Sequence, residues 1–150
     1  MPIGSIVFVD TNVLLYAQDQ RNAVKQSASQ LWLRWCWESR CGRLSSQVLH
    51  EFYVNLRRLA PNLLPEHARD QVRQYRRWQP WQVDDPTVDY AWTLQDETGY
   101  SYWDCLMVAA AAAQECQYLL TEDLQHQQRL AGLTVISPFR LLPGELGSFG

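Results

Sequence analysis

The chain has 150 residues, 47% of them apolar and 19% charged, with a formal net charge of −3. That length fits one compact domain over residues 1–150, with enough core to fold without a disulfide or metal staple. The composition excludes a disordered chain, a collagen-like repeat and a charged coiled coil. Only 13 residues are Lys or Arg, which excludes coating of nucleic acid by bulk charge.

Ile6, Val7, Phe8 and Val9 form a continuous apolar run, the pattern of a strand buried on both faces of a parallel sheet. Asp10, Thr11 and Asn12 follow at its carboxyl end as capping candidates for a short helix. Over 23–38, Val24, Ala28, Leu31, Trp32 and Trp35 share one helical stripe, and Cys41-Gly42 marks its stop. Arg43, Leu44 and Ser45 fit a very short strand. Ser46 is placed to cap a helix reaching about Leu59, with Leu49, Phe52, Leu56 and Leu59 facing inward. Pro65 suits the first turn of the next helix, whose buried stripe is Ala68, Val72 and Tyr75.

Residues 81–83 read as a further strand. Asp85-Pro86 starts and Gly99 stops a helix over 86–98, and Ser101 opens another through about Gln114. Tyr118, Leu119, Leu120 and Thr121 predict a buried strand, with Glu122-Asp123 at its carboxyl end. Thr134, Val135 and Ile136 predict the last strand, closed by Pro138. Strands alternating with helices give an α/β class with a mostly parallel central sheet flanked by helices. Ligands bind such sheets beyond the strands' carboxyl ends.

Four acids stand out by position: Asp10, Glu51, Asp104 and Asp123. Two end strands and two lie in early helical turns. Gathered in one cleft they repel and need a cation to remain ionised. Oxygen donors suit hard divalent ions, which activate water and stabilise phosphoryl displacement. Each acid also has a structural reading. Asp10 fits a helix cap, Glu51 a solvated edge and Asp123 a cap for the segment from Leu124. Asp104 lies three residues after Ser101, the spacing of a capping box.

Arg57, Arg58, Arg69, Arg73, Arg76 and Arg77 crowd one short span. Arg69, Arg73, Arg76 and Arg77 lie on one stripe beside the buried one, a candidate track for RNA phosphates. A solvated helix face with Glu and Asp partners is the alternative. Trp78 and Trp81 fit either base stacking or burial. Trp32, Trp35 and Trp37 spread round one helix, which predicts that at least one faces a partner. His50, His67 and His126 have no evident partner. Cys36, Cys41, Cys105 and Cys116 form no C-x-x-C and have no histidines at ligand spacing, so they read as reduced thiols rather than a zinc site. No leader or membrane span is visible, which predicts a cytoplasmic location with no membrane partner.

These segments together resemble a PIN-domain nuclease, and more narrowly a VapC-type toxin of bacterial toxin–antitoxin pairs. Val7-Phe8-Val9-Asp10-Thr11-Asn12 is similar to the family's first motif, and Ser46-Gln47-Val48-Leu49-His50-Glu51 to its second. Ser101-Tyr102-Trp103-Asp104 is similar to the third, and Leu120-Thr121-Glu122-Asp123 to the fourth. One departure is that many relatives read His-Gly-Gln where this chain has His126-Gln127-Gln128.

The resemblance implies a PIN-like fold. It implies that Asp10, Glu51, Asp104 and Asp123 hold Mg²⁺ or Mn²⁺ and catalyse hydrolysis of RNA to 5′-phosphate and 3′-hydroxyl ends. Thr11, Asn12 and Thr121 become supporting groups, and Glu122 ranks behind Asp123. The implied partners are an RNA substrate, a small antitoxin and a second copy of the chain. Two alternatives share the fold: a housekeeping ribonuclease without an antitoxin, and a non-catalytic binding scaffold. A phosphatase with a strand-end Asp nucleophile needs a second Asp two residues on, where Asn12 stands.

Overall fold

The apolar run near the start of the chain becomes the middle of the fold. In the computed structural model, which describes residues 5–148, that run is β1 (Val7–Val9), with all three side chains fully buried. Helix α1 (Thr11–Tyr16) follows directly, then α2 (Ala23–Ser39) and β2 (Gly42–Arg43). Next come α3 (Ser46–Leu59), α4 (Pro65–Tyr75) and a single 3₁₀ turn (Arg76–Trp78). The second half holds α5 (Asp85–Thr98), α6 (Tyr102–Ala113), β3 (Tyr118–Leu120), β4 (Arg129–Leu130) and β5 (Leu133–Ile136).

The strands form one sheet in the order β2-β1-β3-β5-β4, parallel except for β4. The α/β class with a mostly parallel, helix-flanked sheet is therefore the observed architecture. Register decides where the chemistry sits. Val9 pairs with Leu120, and Leu120 with Ile136. The next residues, Asp10, Thr121 and Ser137, consequently emerge together at the carboxyl edge.

Several local expectations change. Helix α2 buries Ser29, Trp32, Leu33 and Cys36, whereas Val24 is 80% and Leu31 42% exposed. The inward stripe is thus rotated, because the buried Trp32 needs its indole N–H satisfied. It donates to the carbonyls of Pro138 at 3.2 Å and Leu141 at 3.0 Å. The helix stops at Arg40, in the left-handed region at φ 56°, not at Cys41-Gly42.

Ser45, not Ser46, caps α3, accepting from the Val48 amide at 3.4 Å. Residues 81–83 form no strand; Trp81 makes only a single bridge to Ser45. Strand β4 was not legible because its hairpin turns through Ala131 and Gly132, at φ 53° and 79°, rather than through an Asn-Gly pair. The four cysteines are free and buried. No helix among the described residues is long and apolar enough to cross a membrane.

Trp35 meets the edge of Trp32, and Trp37 packs against Tyr75 and Trp78. Trp32 is buried, and Trp35 and Trp37 are half-buried against these neighbours. Trp78 and Trp81 are half-buried, the latter donating to the Thr87 hydroxyl at 3.0 Å.

Gly42 sits directly under the Trp78 ring. A β-carbon there would lie 2.5 Å from two ring carbons. Gly42→Ala is therefore expected to cost ~1–3 kcal/mol through overpacking. A thermal melt checks this, with an expected fall of ~2–10 °C for a chain of this size; an unchanged midpoint contradicts it.

Candidate active site

Asp10 leaves β1 into a ring of donors. Its Oδ1 accepts the Thr11 amide at 2.6 Å, capping α1. Its Oδ2 accepts the Thr121 hydroxyl at 2.7 Å and the Asn12 side-chain amide at 3.2 Å. The Thr121 hydroxyl oxygen in turn accepts the Asp123 amide at 3.0 Å, which fixes the loop after β3. Capping and clustering are thus one arrangement, not rival readings.

Glu51 reaches the same place from α3. Gln47, one turn earlier, donates to Glu51 Oε1 at 2.8 Å, and Asn55, one turn later, donates to its backbone carbonyl at 2.8 Å. Asp104 arrives from the first turn of α6. Its amide donates to the Ser101 hydroxyl at 3.1 Å, so the capping motif is used, while its carboxylate lines the cleft. Asp123 caps nothing, because no helix follows it.

All four acids line one cleft of about 260 Å³, together with Thr11, Asn12, Gln47, Asn55, Trp103 and Met107. Thr121 touches it through Asp10. Gln47, Asn55 and Trp103 were not singled out in the sequence. Gln47 and Asn55 were findable, since they flank Glu51 at helical spacing on α3.

The cleft's electrostatics follow from crowding. Burial pushes Asp10 up from 3.8 to about 7; the Thr121 and Thr11 hydrogen bonds oppose this, and the charges of Asp123 and Glu51 add to it. Glu51 stands at the exposed rim. Partial desolvation raises its carboxyl, the Gln47 hydrogen bond lowers it, and Asp104 and Asp123 raise it further.

Among the described residues no three His, Cys, Asp or Glu side chains are drawn together as a closed ligand group. The donor set nevertheless fits a hard divalent cation. Every polar atom offered by the acids is an oxygen, and the buried Asn12 Oδ1 and Thr11 Oγ1 have no hydrogen-bond partner.

Glu122 turns elsewhere. Lys25 Nζ pairs with it at 2.6 Å and the Tyr16 hydroxyl donates to it. Burial works against its ionisation, but these two bonds outweigh burial and hold its carboxyl below the usual range. His126 does have a partner: its Nδ1 accepts the Ser137 amide at 3.0 Å.

Arg69, Arg73 and Arg76 border a separate cleft of about 750 Å³ beside α3. Arg77 does not line it. Arg73 is neutralised by Glu66 and Asp70, each at 2.6 Å, whereas Arg76 makes no ion pair among the described residues.

The model of the PIN domain matches residues 7–133, most of the chain. The chain belongs to the PIN-domain family. Solved structures share this PIN fold at low identity. VapBC2 from Rickettsia felis, bound to a DNA fragment from their promoter, superposes with a TM-score of 0.58 at 17% identity, covering 87% of this chain and 96% of that one. A toxin–antitoxin complex from Klebsiella pneumoniae gives 0.59 at 16% identity, covering 91% and 100%. VapC20 of Mycobacterium tuberculosis, a sarcin–ricin loop cleaving toxin, gives 0.54 at 20% identity, covering 75% and 86%. No curated protein sequence matches the chain.

The Asp10 shift makes the stability of this PIN domain pH-dependent. The folded state keeps the Asp10 proton up to about 7, and the unfolded chain releases it near 3.8. The fold binds the extra proton between those values, so this contribution to stability is full below about 4 and lost as pH rises through about 7. Ionising Asp10 without a cation costs on the order of 4 kcal/mol. In EDTA, Asp10→Asn is expected to melt ~10 °C above wild type at pH 8, with the gap closing by pH 4.5. Equal gaps at both pH values contradict this account.

Proposed function

We propose that this PIN domain is a divalent-metal-dependent ribonuclease and the toxin of a toxin–antitoxin pair. The observation that carries the reading is the convergence of Asp10, Glu51, Asp104 and Asp123 on one cleft at the carboxyl edge of the sheet. Family membership supports nuclease chemistry. Neighbours that are a toxin–antitoxin complex, VapBC2 and a sarcin–ricin loop cleaving toxin support the toxin role, an RNA substrate and a small protein antitoxin. A homodimer belongs to the same proposal, and the exposed Val24 and Leu31 on α2 supply apolar surface for contact between protein chains.

The residues that would hold Mg²⁺ or Mn²⁺ are Asp10, Glu51, Asp104 and Asp123. When bound, the ion supplies Lewis-acid stabilisation of the phosphodiester's developing charge and makes water a better nucleophile at neutral pH. The chain's own groups do the positioning. Thr121, the Thr11 amide and the Asn12 amide fix both oxygens of Asp10. Gln47 fixes Glu51 through Oε1. Asp104 is held by its helix start and Asp123 by the Thr121 hydroxyl. Arg76, and Arg69 through a long 3.5 Å exposed pair with Glu66, would offer positive charge to flanking phosphates.

Asp10→Asn, Glu51→Gln, Asp104→Asn and Asp123→Asn are each expected to lower RNA cleavage on the order of 100-fold or more while leaving the fold intact. EDTA is expected to stop the wild type, and Mg²⁺ or Mn²⁺ to restore it. Cleavage that survives EDTA overturns the mechanism. Growth arrest on expression, relieved by the adjacent small reading frame, tests the toxin role. Harmless expression with no stable complex leaves the housekeeping reading.

This positive charge has its own check. Replacing Arg69 and Arg76 by Gln is expected to flatten the log–log salt dependence of single-stranded RNA binding by about 0.7 per lost contact. An unchanged slope returns these arginines to an ordinary solvated face.

A further inference from the structure

Trp103 is 62% exposed, an unusual cost for the largest apolar side chain. It lies in the first turn of α6, immediately before Asp104. It borders the acid cleft and also a second cleft of about 500 Å³ lined by Ser46, His50, Glu51 and Val83. That second cleft shares Ser46 and His50 with the arginine-bordered one. The acid cleft also shares Asn12, Asn55 and Asp123 with a cleft of mixed charge that holds Arg58, Glu122 and the Arg21–Asp19 pair at 2.9 Å. Trp103 stands on the wall common to the acid cleft and the second cleft.

The ring is held in place. Tyr102 meets it edge-on with centroids 5.3 Å apart. Gln47, which bonds Glu51 Oε1, also donates to the Trp103 carbonyl at 3.2 Å. The main chain of Trp103 is thereby coupled to an acid of the cleft, on a helix rather than a loop. Trp92 is 55% exposed but lies on α5 and lines none of these clefts.

We infer that Trp103 is a stacking platform for an unpaired base next to the cleaved bond. The inference rests on the ribonuclease reading above. Stacking needs an open base face, and the faces of paired bases are already covered by their neighbours in a duplex. Base–aromatic stacking tolerates any sequence and contributes substantially per base. Trp103 is a positioning residue here and holds the nucleotide, while the acids act on the phosphate.

The experiment measures binding, in EDTA, of a ten-nucleotide single-stranded RNA, the same sequence as a blunt duplex, and the same strand with one abasic nucleotide at the mapped cleavage position. Trp103→Ala is expected to weaken single-strand binding about tenfold, with Trp103→Phe recovering most of it and Trp92→Ala changing nothing. The abasic strand is expected to bind the wild type as weakly as the intact strand binds Trp103→Ala, with no further loss in that variant. Duplex binding is expected to be indifferent to Trp103. Single-strand binding unchanged in Trp103→Ala, or equal losses for Trp92→Ala, overturns the inference while cleavage still supports the nuclease reading. A wild type that neither binds nor cuts any of the RNAs overturns both.

Discussion

Asp10 is a carboxylate placed where a carboxylate is costly, and much of the carboxyl edge is arranged around that fact. Parallel pairing of β1 with β3 brings the ends of the two strands side by side, so Asp10 and Thr121 must meet. The hydroxyl between them serves both sides. It donates to Asp10 and accepts the Asp123 amide, which ties the two strand-end acids into one unit. Three donors stabilise the charge, yet burial still outweighs them and pushes Asp10 to about 7. Asp10 is thus a buried acid with its charge incompletely compensated, facing three more acids across a small cleft.

That arrangement explains the division of labour around the cleft. The acids come from four different elements: a strand end, the middle of α3, the start of α6 and the loop after β3. Each is pinned by a neighbour that is itself local in sequence, Gln47 for Glu51 and Ser101 for Asp104. Positive charge is kept at a distance. Lys25 is spent on Glu122, and the arginines of α4 border a separate cleft. On the proposed reading, positive charge beside the acids would steer a polyanion without neutralising them.

Much of this was legible from residue pattern. The buried strands showed as unbroken apolar runs, and the positions of Asp10 and Asp123 followed from where those runs end. Glu51 and Asp104 were visible because helix starts at Ser45–Ser46 and Ser101 set their height on each helix. What failed did so for tertiary reasons. Helical periodicity placed Val24 and Leu31 inward, but the indole of Trp32 found two carbonyls near the C-terminus, and this fixed which face of α2 is buried. Gln127 stands at the position where the resemblance leads to a glycine. Gln127 takes φ 71°, the conformation a glycine adopts freely, held by its amide donating to the Val135 carbonyl at 2.7 Å. Trp103 could not be separated in sequence from the other six tryptophans, because only the fold shows which of them border the acids.

On the proposed reading, burial and crowding hold Asp10 protonated until a cation relieves them. A carbon-13 NMR titration of the Asp10 carboxyl, with and without Mg²⁺, tests it most directly. The account predicts a midpoint near 7 in EDTA that falls well below the usual carboxylate value once Mg²⁺ is added. A midpoint near 4 in EDTA, or one that Mg²⁺ does not move, would contradict it.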